Sequence, residues 1–227
     1  MALKRVGELL GLKVNIKKIE SYQEEIDFDS ADILFFNTGE LKVVAPIVET
    51  LKKQKEKLEE YVEKNKMIIA IGTTGAVFAD ETMKKDGSIL NGLGILDMRC
   101  LEREYVYGDD IVYKLLEDEN IEINGSQIQI IDTLLNSCKP LGQVIYGHGN
   151  NGEANKTEGA KYKNVIFTNC LGPAFVKNPW YAEKLIRAAM QNKGIQIEKQ
   201  VDETEYEIER KSMECIKKFI DKKTLER

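Results

Sequence analysis

Histidine and cysteine are scarce in this 227-residue chain, so each can be weighed singly as nucleophile, base or metal ligand. There is one histidine, His148, in the turn-rich loop Gly147-His-Gly-Asn-Asn-Gly152. A lone loop histidine more often makes hydrogen bonds or meets solvent than transfers protons. Four cysteines, Cys100, Cys138, Cys170 and Cys215, form no CxxC pair, and with a single histidine they make no usual zinc site. They read as free packing thiols. Thr73 or Thr74 as nucleophile would need a base, and none is identifiable nearby in sequence. No metal or other cofactor is expected.

Hydrophobic residues make up 42% of the chain and charged residues 31%, enough for a full core in one domain with decorations. The formal charge of -5 argues against a nucleic-acid partner. The longest apolar runs, such as Met67-Ile-Ile-Ala-Ile71, are too short for a membrane span, and Met1-Ala-Leu-Lys-Arg5 lacks a signal-peptide core, so a cytoplasmic location is the expectation.

The periodicity alternates between helix and strand. Leu3 to Leu10 predicts a short amphipathic helix ended by Gly11, and Val14 to Ile19 alternates like a half-buried strand. Ala31 to Phe36 is a continuous apolar strand that runs into the loop Asn37-Thr-Gly39. One long helix is expected from about Val44 to Lys64, its charge-rich part a solvated face. Met67 to Ile71 is the next buried strand, followed by the turn Gly72-Thr-Thr-Gly75 and a helical stretch over 76–79. This order predicts an α/β fold: a three-layer, mostly parallel sheet with helices on both faces. Further strands fall within 97–116 and at 126–131, 144–146 and 165–167, then a helix at 178–191. A last amphipathic helix over about 204–222 carries Ile208, Met213, Ile216, Phe219 and Ile220 as its apolar stripe, with packing against its own domain as its expected use. The division expected is a main domain over 1–195 and a helical extension over 196–227.

Three stretches carry a family resemblance: Tyr146-Gly-His-Gly-Asn-Asn-Gly-Glu153, the segment Thr157 to Thr168, and Leu171-Gly-Pro173. Together they resemble the C-terminal half of a CobB/CobQ-type class I glutamine amidotransferase domain, nearest the glutaminase subunit of lipid II isoglutaminyl synthase. The resemblance covers about residues 2–190 and is strongest over 139–179. It implies a flavodoxin-like fold in which a cysteine on a tight strand-to-helix elbow attacks a glutamine side-chain amide while a histidine takes the thiol proton. That cysteine falls at Gly72, in Ala70-Ile-Gly-Thr-Thr-Gly-Ala76 where the family shows Ala-Ile-Cys-Gly-Gly. The histidine falls at Leu171, in Thr168-Asn-Cys-Leu-Gly-Pro173 where the family reads Thr-Tyr-Leu-His-Gly-Pro.

Gly72 could adopt the positive φ of a strained elbow, so the shape is expected to persist without the nucleophile. Thr73 and Thr74 put β-branches where the family has glycines. Gln127 and Gln129 read equally as two polar side chains on one strand face or as the wall of a vestigial pocket. Strand alternation would turn Cys170 away from Leu171. Related domains also open with a strand ahead of the helix matching Leu3 to Leu10. The expected gap in the sheet is either rearranged or filled by another chain, and a misassigned start and a genuine truncation both stay open.

The resemblance implies a place beside a Mur-ligase-like, ATP-dependent subunit that amidates the peptidoglycan stem peptide. With both catalytic positions substituted, the expected role is a degenerate binding or regulatory subunit. The alternative is a small-molecule module that uses the old pocket, with Thr73, Thr74, Gln127, Gln129 and Asn169 as contacts and a ligand such as glutamine.

Overall fold

The computed structural model describes residues 2–153 and 156–225. Its centre is the strand β2 (Met67–Ile71), in which all five residues are buried. Such a strand must be covered on both faces, and alternate side chains divide between two cores. Ile68 and Ala70 point to one core, and Met67, Ile69 and Ile71 to the other. On one side of β2 lies β1 (Ile33–Phe36) and on the other β10 (Val165–Thr168), both parallel to it, with β9 (Ala160–Tyr162) antiparallel beyond β10. The sheet order is β1-β2-β10-β9.

Helices α2 (Val44–Lys53), α3 (Lys55–Glu63) and α4 (Gly75–Phe78) cover one face. Helices α1 (Ala2–Leu9), α5 (Ala174–Lys177) and α6 (Pro179–Asn192) cover the other. The expected three-layer α/β arrangement is therefore present, with its parallel part concentrated in β1, β2 and β10. The remaining strands form a second sheet: β3 (Glu81–Met83), β4 (Ile89–Asn91), β5 (Met98–Leu115), β6 (Glu122–Leu135), β7 (Gly142–Tyr146), β8 (Thr157–Glu158) and β11 (Cys170–Gly172). It is antiparallel except for β3 beside β5. Its long β5–β6 pair contributes Ile111, Tyr113, Leu115 and Ile123 to the core that α1 and α6 share.

Three expectations need correction. Val14 to Ile19 forms no strand, and Ile16 and Ile19 are exposed, because alternation alone makes no strand without a neighbour to bond to. Val14 instead packs over Gly7, filling the space that a side chain there would take. The single long helix is two, broken at Gln54. Gln54 leaves helical geometry, and its buried amide accepts from the Ile26 N–H at 2.9 Å and donates to the Ile26 carbonyl at 3.0 Å, clamping the connector that leads into β1. In α7 (Glu207–Leu225) the expected stripe holds only in part: Met213 and Ile220 are buried, whereas Ile208 is 81% exposed and Phe219 half exposed.

The seam of that last helix is Met213 and Ile220, continued one heptad earlier by Tyr206 at the end of the preceding 3-10 turn (Glu203–Tyr206), all three buried. The helix packs on its own molecule: Arg5 pairs with Glu209 at 2.7 Å, and Lys217 pairs with Glu122. Among the described residues no helix is long and apolar enough to cross a membrane.

Candidate active site

The strand-to-helix elbow is present at the carboxyl end of β2. Ile71 is extended, Gly72 turns with φ of +58°, and a single 3-10 turn (Gly72–Thr74) leads into α4. That positive φ is the conformation the sequence anticipates for a strained nucleophile position. Thr74 closes the turn from within. Its hydroxyl lies 2.9 Å from the carbonyl oxygens of both Phe36 and Ile71 and accepts from the Ile71 N–H at 3.1 Å, tying β1 to the end of β2. The side chain is buried, so these groups have no water to turn to. Thr74→Val therefore costs about 1–3 kcal/mol, read as a fall in the thermal midpoint with the circular dichroism spectrum unchanged.

Leu171 arrives on β11, which pairs antiparallel with β6 through Cys170 opposite Gln127 and Gly172 opposite Ser126. The fold brings Gly72 and Leu171 together across the elbow. A Cβ placed on Gly72 would lie 2.4 Å from Leu171 Cδ2 and 2.8 Å from Thr38 Oγ1. The space that a side chain at position 72 would need is thus occupied by Leu171. Thr38, in the loop after β1, is a neighbour the sequence reading missed. The only sequence signal was its place at the carboxyl end of a buried strand, where parallel sheets gather their sites.

Gln127, Gln129 and Asn169 are buried, and their amides are spent inside the protein. Gln127 Nε2 donates to the Gly149 carbonyl at 2.7 Å and to Gln129 Oε1 at 2.6 Å, while its oxygen accepts from the His148 and Gly149 N–H groups. Gln129 Nε2 donates to the Asn150 carbonyl at 2.8 Å. These two residues hold the 147–152 loop against β6.

Asn169 belongs to a second network around Glu158, a fully buried carboxylate that sequence reasoning also missed. Glu158 Oε1 accepts from Thr168 Oγ1 and from the Asn169 N–H, both at 2.7 Å, and Oε2 accepts from Asn169 Nδ2 at 3.0 Å. Burial raises the Glu158 carboxyl above its ordinary pKa, and the bonds from Asn169 and Thr168 pull against that rise. The signal for this network was a glutamate in Thr157-Glu-Gly-Ala160, a stretch otherwise uncharged.

The His148 ring is enclosed by its neighbours. Its ring stacks on Tyr107 at 4.6 Å between centroids, and Gly152 presses on it so closely that a Cβ there would lie 2.4 Å from Cε1. Nε2 sits 3.2 Å from Asp132 Oδ1 and 3.0 Å from Arg103 Nη1, and Arg103 and Asp132 are themselves paired at 2.6 Å. Cys170 is fully buried and packs against Gly125, and burial pushes its thiol far above the usual range.

None of the elbow residues or candidate contacts lines either of the two clefts described. One, of about 470 Å³, lies beside Trp180, Arg210 and Met213, and the other, of about 240 Å³, beside Lys64, Lys66 and Lys193.

No protein-family model matches the chain. It is 30% identical over 196 residues to the lipid II isoglutaminyl synthase (glutamine-hydrolyzing) subunit GatD of Streptococcus pneumoniae, covering 85% of this chain and 74% of that protein. With the subunit of the same name from Staphylococcus aureus it shares 32% identity over 213 residues, 94% of this chain and 86% of the relative. Two solved structures share the fold at low identity. One is a glutamine amidotransferase, with a TM-score of 0.52 and 13% identity over 86% of this chain and 93% of that one. The other is PurLQS from Thermotoga maritima, with a TM-score of 0.54 and 10% identity over 84% and 91%. On its similarity to both GatD relatives, and with the amidotransferase fold beneath it, the chain belongs to the family of lipid II isoglutaminyl synthase glutaminase subunits.

Proposed function

We propose that this chain is a non-hydrolysing member of that family, which serves as a binding or regulatory subunit of a Mur-ligase-like, ATP-dependent partner. One observation carries the reading: at the turn where a nucleophile belongs there is a glycine, and Leu171 Cδ2 stands 2.4 Å from the place of its missing Cβ. An alkyl group neither attacks an amide nor accepts a proton. Losing either half of a nucleophile and base pair costs several orders of magnitude in rate, and here both positions are substituted. His148 and Cys170 offer no replacement, the one clasped by Tyr107 and Gly152 and the other packed in the core.

The partner half of the proposal draws on the relatives, whose names describe subunits of a synthase. In this reading residues 1–195 keep the amidotransferase-like scaffold, 196–227 ride on it as a helical extension, and the protein works in the cytoplasm. The old pocket as a ligand site has less support, because Thr74, Gln127, Gln129 and Asn169 already have internal partners.

Purified protein incubated with amide-labelled glutamine is expected to release no ammonia above the buffer rate. Affinity purification from the native cell is expected to bring down a Mur-ligase-like protein. Multiple-turnover ammonia release would overturn the first half, and recovery without such a ligase the second.

A further inference from the structure

Helix α7 lies on the body of the protein without entering either of its hydrophobic cores. Tyr206, Met213 and Ile220 are buried, yet none of the three belongs to the two clusters that hold the sheets, whereas α6 gives Tyr181, Leu185 and Ile186 to one of them. The middle of the contact is not close-packed. The cleft of about 470 Å³ runs there, between Trp180 and Glu122 on the body and Arg210, Met213 and Lys217 on the helix.

Most of what holds α7 down is charge near the surface. Arg5 of α1 reaches Glu209 and the Glu205 carbonyl, each at 2.7 Å. Lys217 pairs with Glu122, and the Arg210 guanidinium lies over the Trp180 ring at 5.7 Å. At the far end Lys223 lies over the Tyr146 ring at 5.1 Å. The Arg5 and Lys217 side chains are about half exposed, so dissolved salt screens their pairs. The connector 195–202 has neither helix nor strand. Its first part is pinned: Arg187 donates to the Ile197 and Lys199 carbonyls at 2.8 and 2.7 Å, and Ile197 and Val201 pack against the core that α1 and α6 share. Asp202 already belongs to the helix, since its carboxylate accepts from the Thr204 N–H at 2.9 Å and caps the 3-10 turn. The joint between body and helix therefore falls at 201–202.

We propose that α7 is a strap that opens and closes as one unit on the folded body, hinged at 201–202 and governed by ionic strength. Few buried apolar contacts and solvent-facing bonds are what put an element at the low-stability end of a fold. Closed, the strap lays Arg210 and Lys217 on a part of the body that receives cations, the Trp180 face and the Glu122 carboxylate. Open, it uncovers that aromatic and acidic surface while both cores stay intact. The chain thus has two states that salt interconverts. This goes beyond the proposed subunit role and does not rest on it.

Native-state hydrogen exchange read by mass spectrometry tests this on the full chain. At low salt, peptides from both halves of α7 are expected to share one opening constant, larger than that of β2 by about tenfold or more. Fraying would instead give a gradient along the helix. Raising NaCl from about 0.05 M to about 1 M is expected to increase the α7 opening about tenfold, as several half-exposed charge contacts are screened, with β2 far less affected. Lys217→Gln and Arg5→Gln are each expected to increase it about threefold. Lys211→Gln removes the same charge, but its partner Glu207 lies on the same helix, so it serves as the control and is expected to open like wild type. An α7 that exchanges only together with β2 overturns the proposal, as does an opening that salt leaves unchanged, or a Lys217→Gln protein that opens no more than Lys211→Gln. An α7 without protection at low salt also overturns it, because such a helix has no closed state.

Discussion

Gly72→Cys is expected to give a less stable protein and no glutaminase activity. The new Cβ would meet Leu171 Cδ2 at 2.4 Å and Thr38 Oγ1 at 2.8 Å, on a backbone held at φ +58°. A non-glycine residue at such a φ costs on the order of 1–3 kcal/mol, and turning the ends of the half-buried Leu171 and exposed Thr38 side chains out of the way adds a smaller cost. Differential scanning calorimetry should register the sum as a drop of several degrees. Leu171→His alone is expected to be silent in a glutaminase assay, because it supplies a base with nothing to activate. The double variant Gly72→Cys/Leu171→His exchanges the obstructing alkyl group for a planar ring and puts a thiol beside an imidazole. It should recover part of the lost stability and should be the first of the series to react with an electrophilic glutamine analogue. Full turnover is not expected from it, since buried Thr73 and Thr74 still flank the turn. A single variant Gly72→Cys that hydrolyses glutamine with normal stability would show that the leucine does not obstruct the site.

Glu158→Ala is expected to be among the most damaging single substitutions in the chain. Three donors, Thr168 Oγ1 and the backbone and side-chain nitrogens of Asn169, converge on this carboxylate with no solvent nearby. Removing it strands the Asn169 N–H and leaves Asn169 Nδ2 with only Asn150 Oδ1 and Thr168 Oγ1 with only Tyr113 Oη as side-chain partners, at about 1–3 kcal/mol for a buried donor left unsatisfied. For a chain of this size that is roughly 2–4 °C per kcal/mol in the thermal midpoint. The pH dependence has a definite sign. Because burial raises the folded-state pKa of Glu158 above its unfolded value, its contribution is most favourable below the unfolded pKa. It weakens as pH climbs through the folded value, where the buried group must ionise. Comparing urea midpoints of wild type and Glu158→Ala from acid to neutral pH should show the gap between them narrowing as pH rises.

How much of this was legible in the sequence depended on whether a feature is local. The elbow was, because a buried strand, a glycine and a short helical run in sequence suffice to predict strand, positive φ and helix. The pairing of Gly72 with Leu171 was also readable, through landmark residues that fix the register of Thr168 to Pro173. What stayed hidden depended on neighbours remote in the chain. Val14 to Ile19 has the alternation of a strand, but strand formation is decided by who lies alongside. The break at Gln54 comes from a side-chain clamp on Ile26, 28 residues earlier. Gln127 and Gln129 were ambiguous as polar residues on one strand face, since nothing local says that a loop 21 or 22 residues later will consume their amides. In α7 the hydrophobic pattern rightly places Met213 and Ile220 on the buried side but also includes Ile208, which faces out because the seam runs back from Met213 to Tyr206 in the preceding 3-10 turn.

The distribution of the thiols has a practical consequence. Cys100 and Cys170 are buried, and Cys100 is pushed up to about 12 by desolvation, while Cys138 is partly covered and also raised. Cys215 alone is exposed, on the outer side of α7. A maleimide dye at limiting ratio should therefore mark one place on the native molecule without any engineered cysteine, giving a fluorescent handle for following how the terminal helix sits during unfolding or assembly.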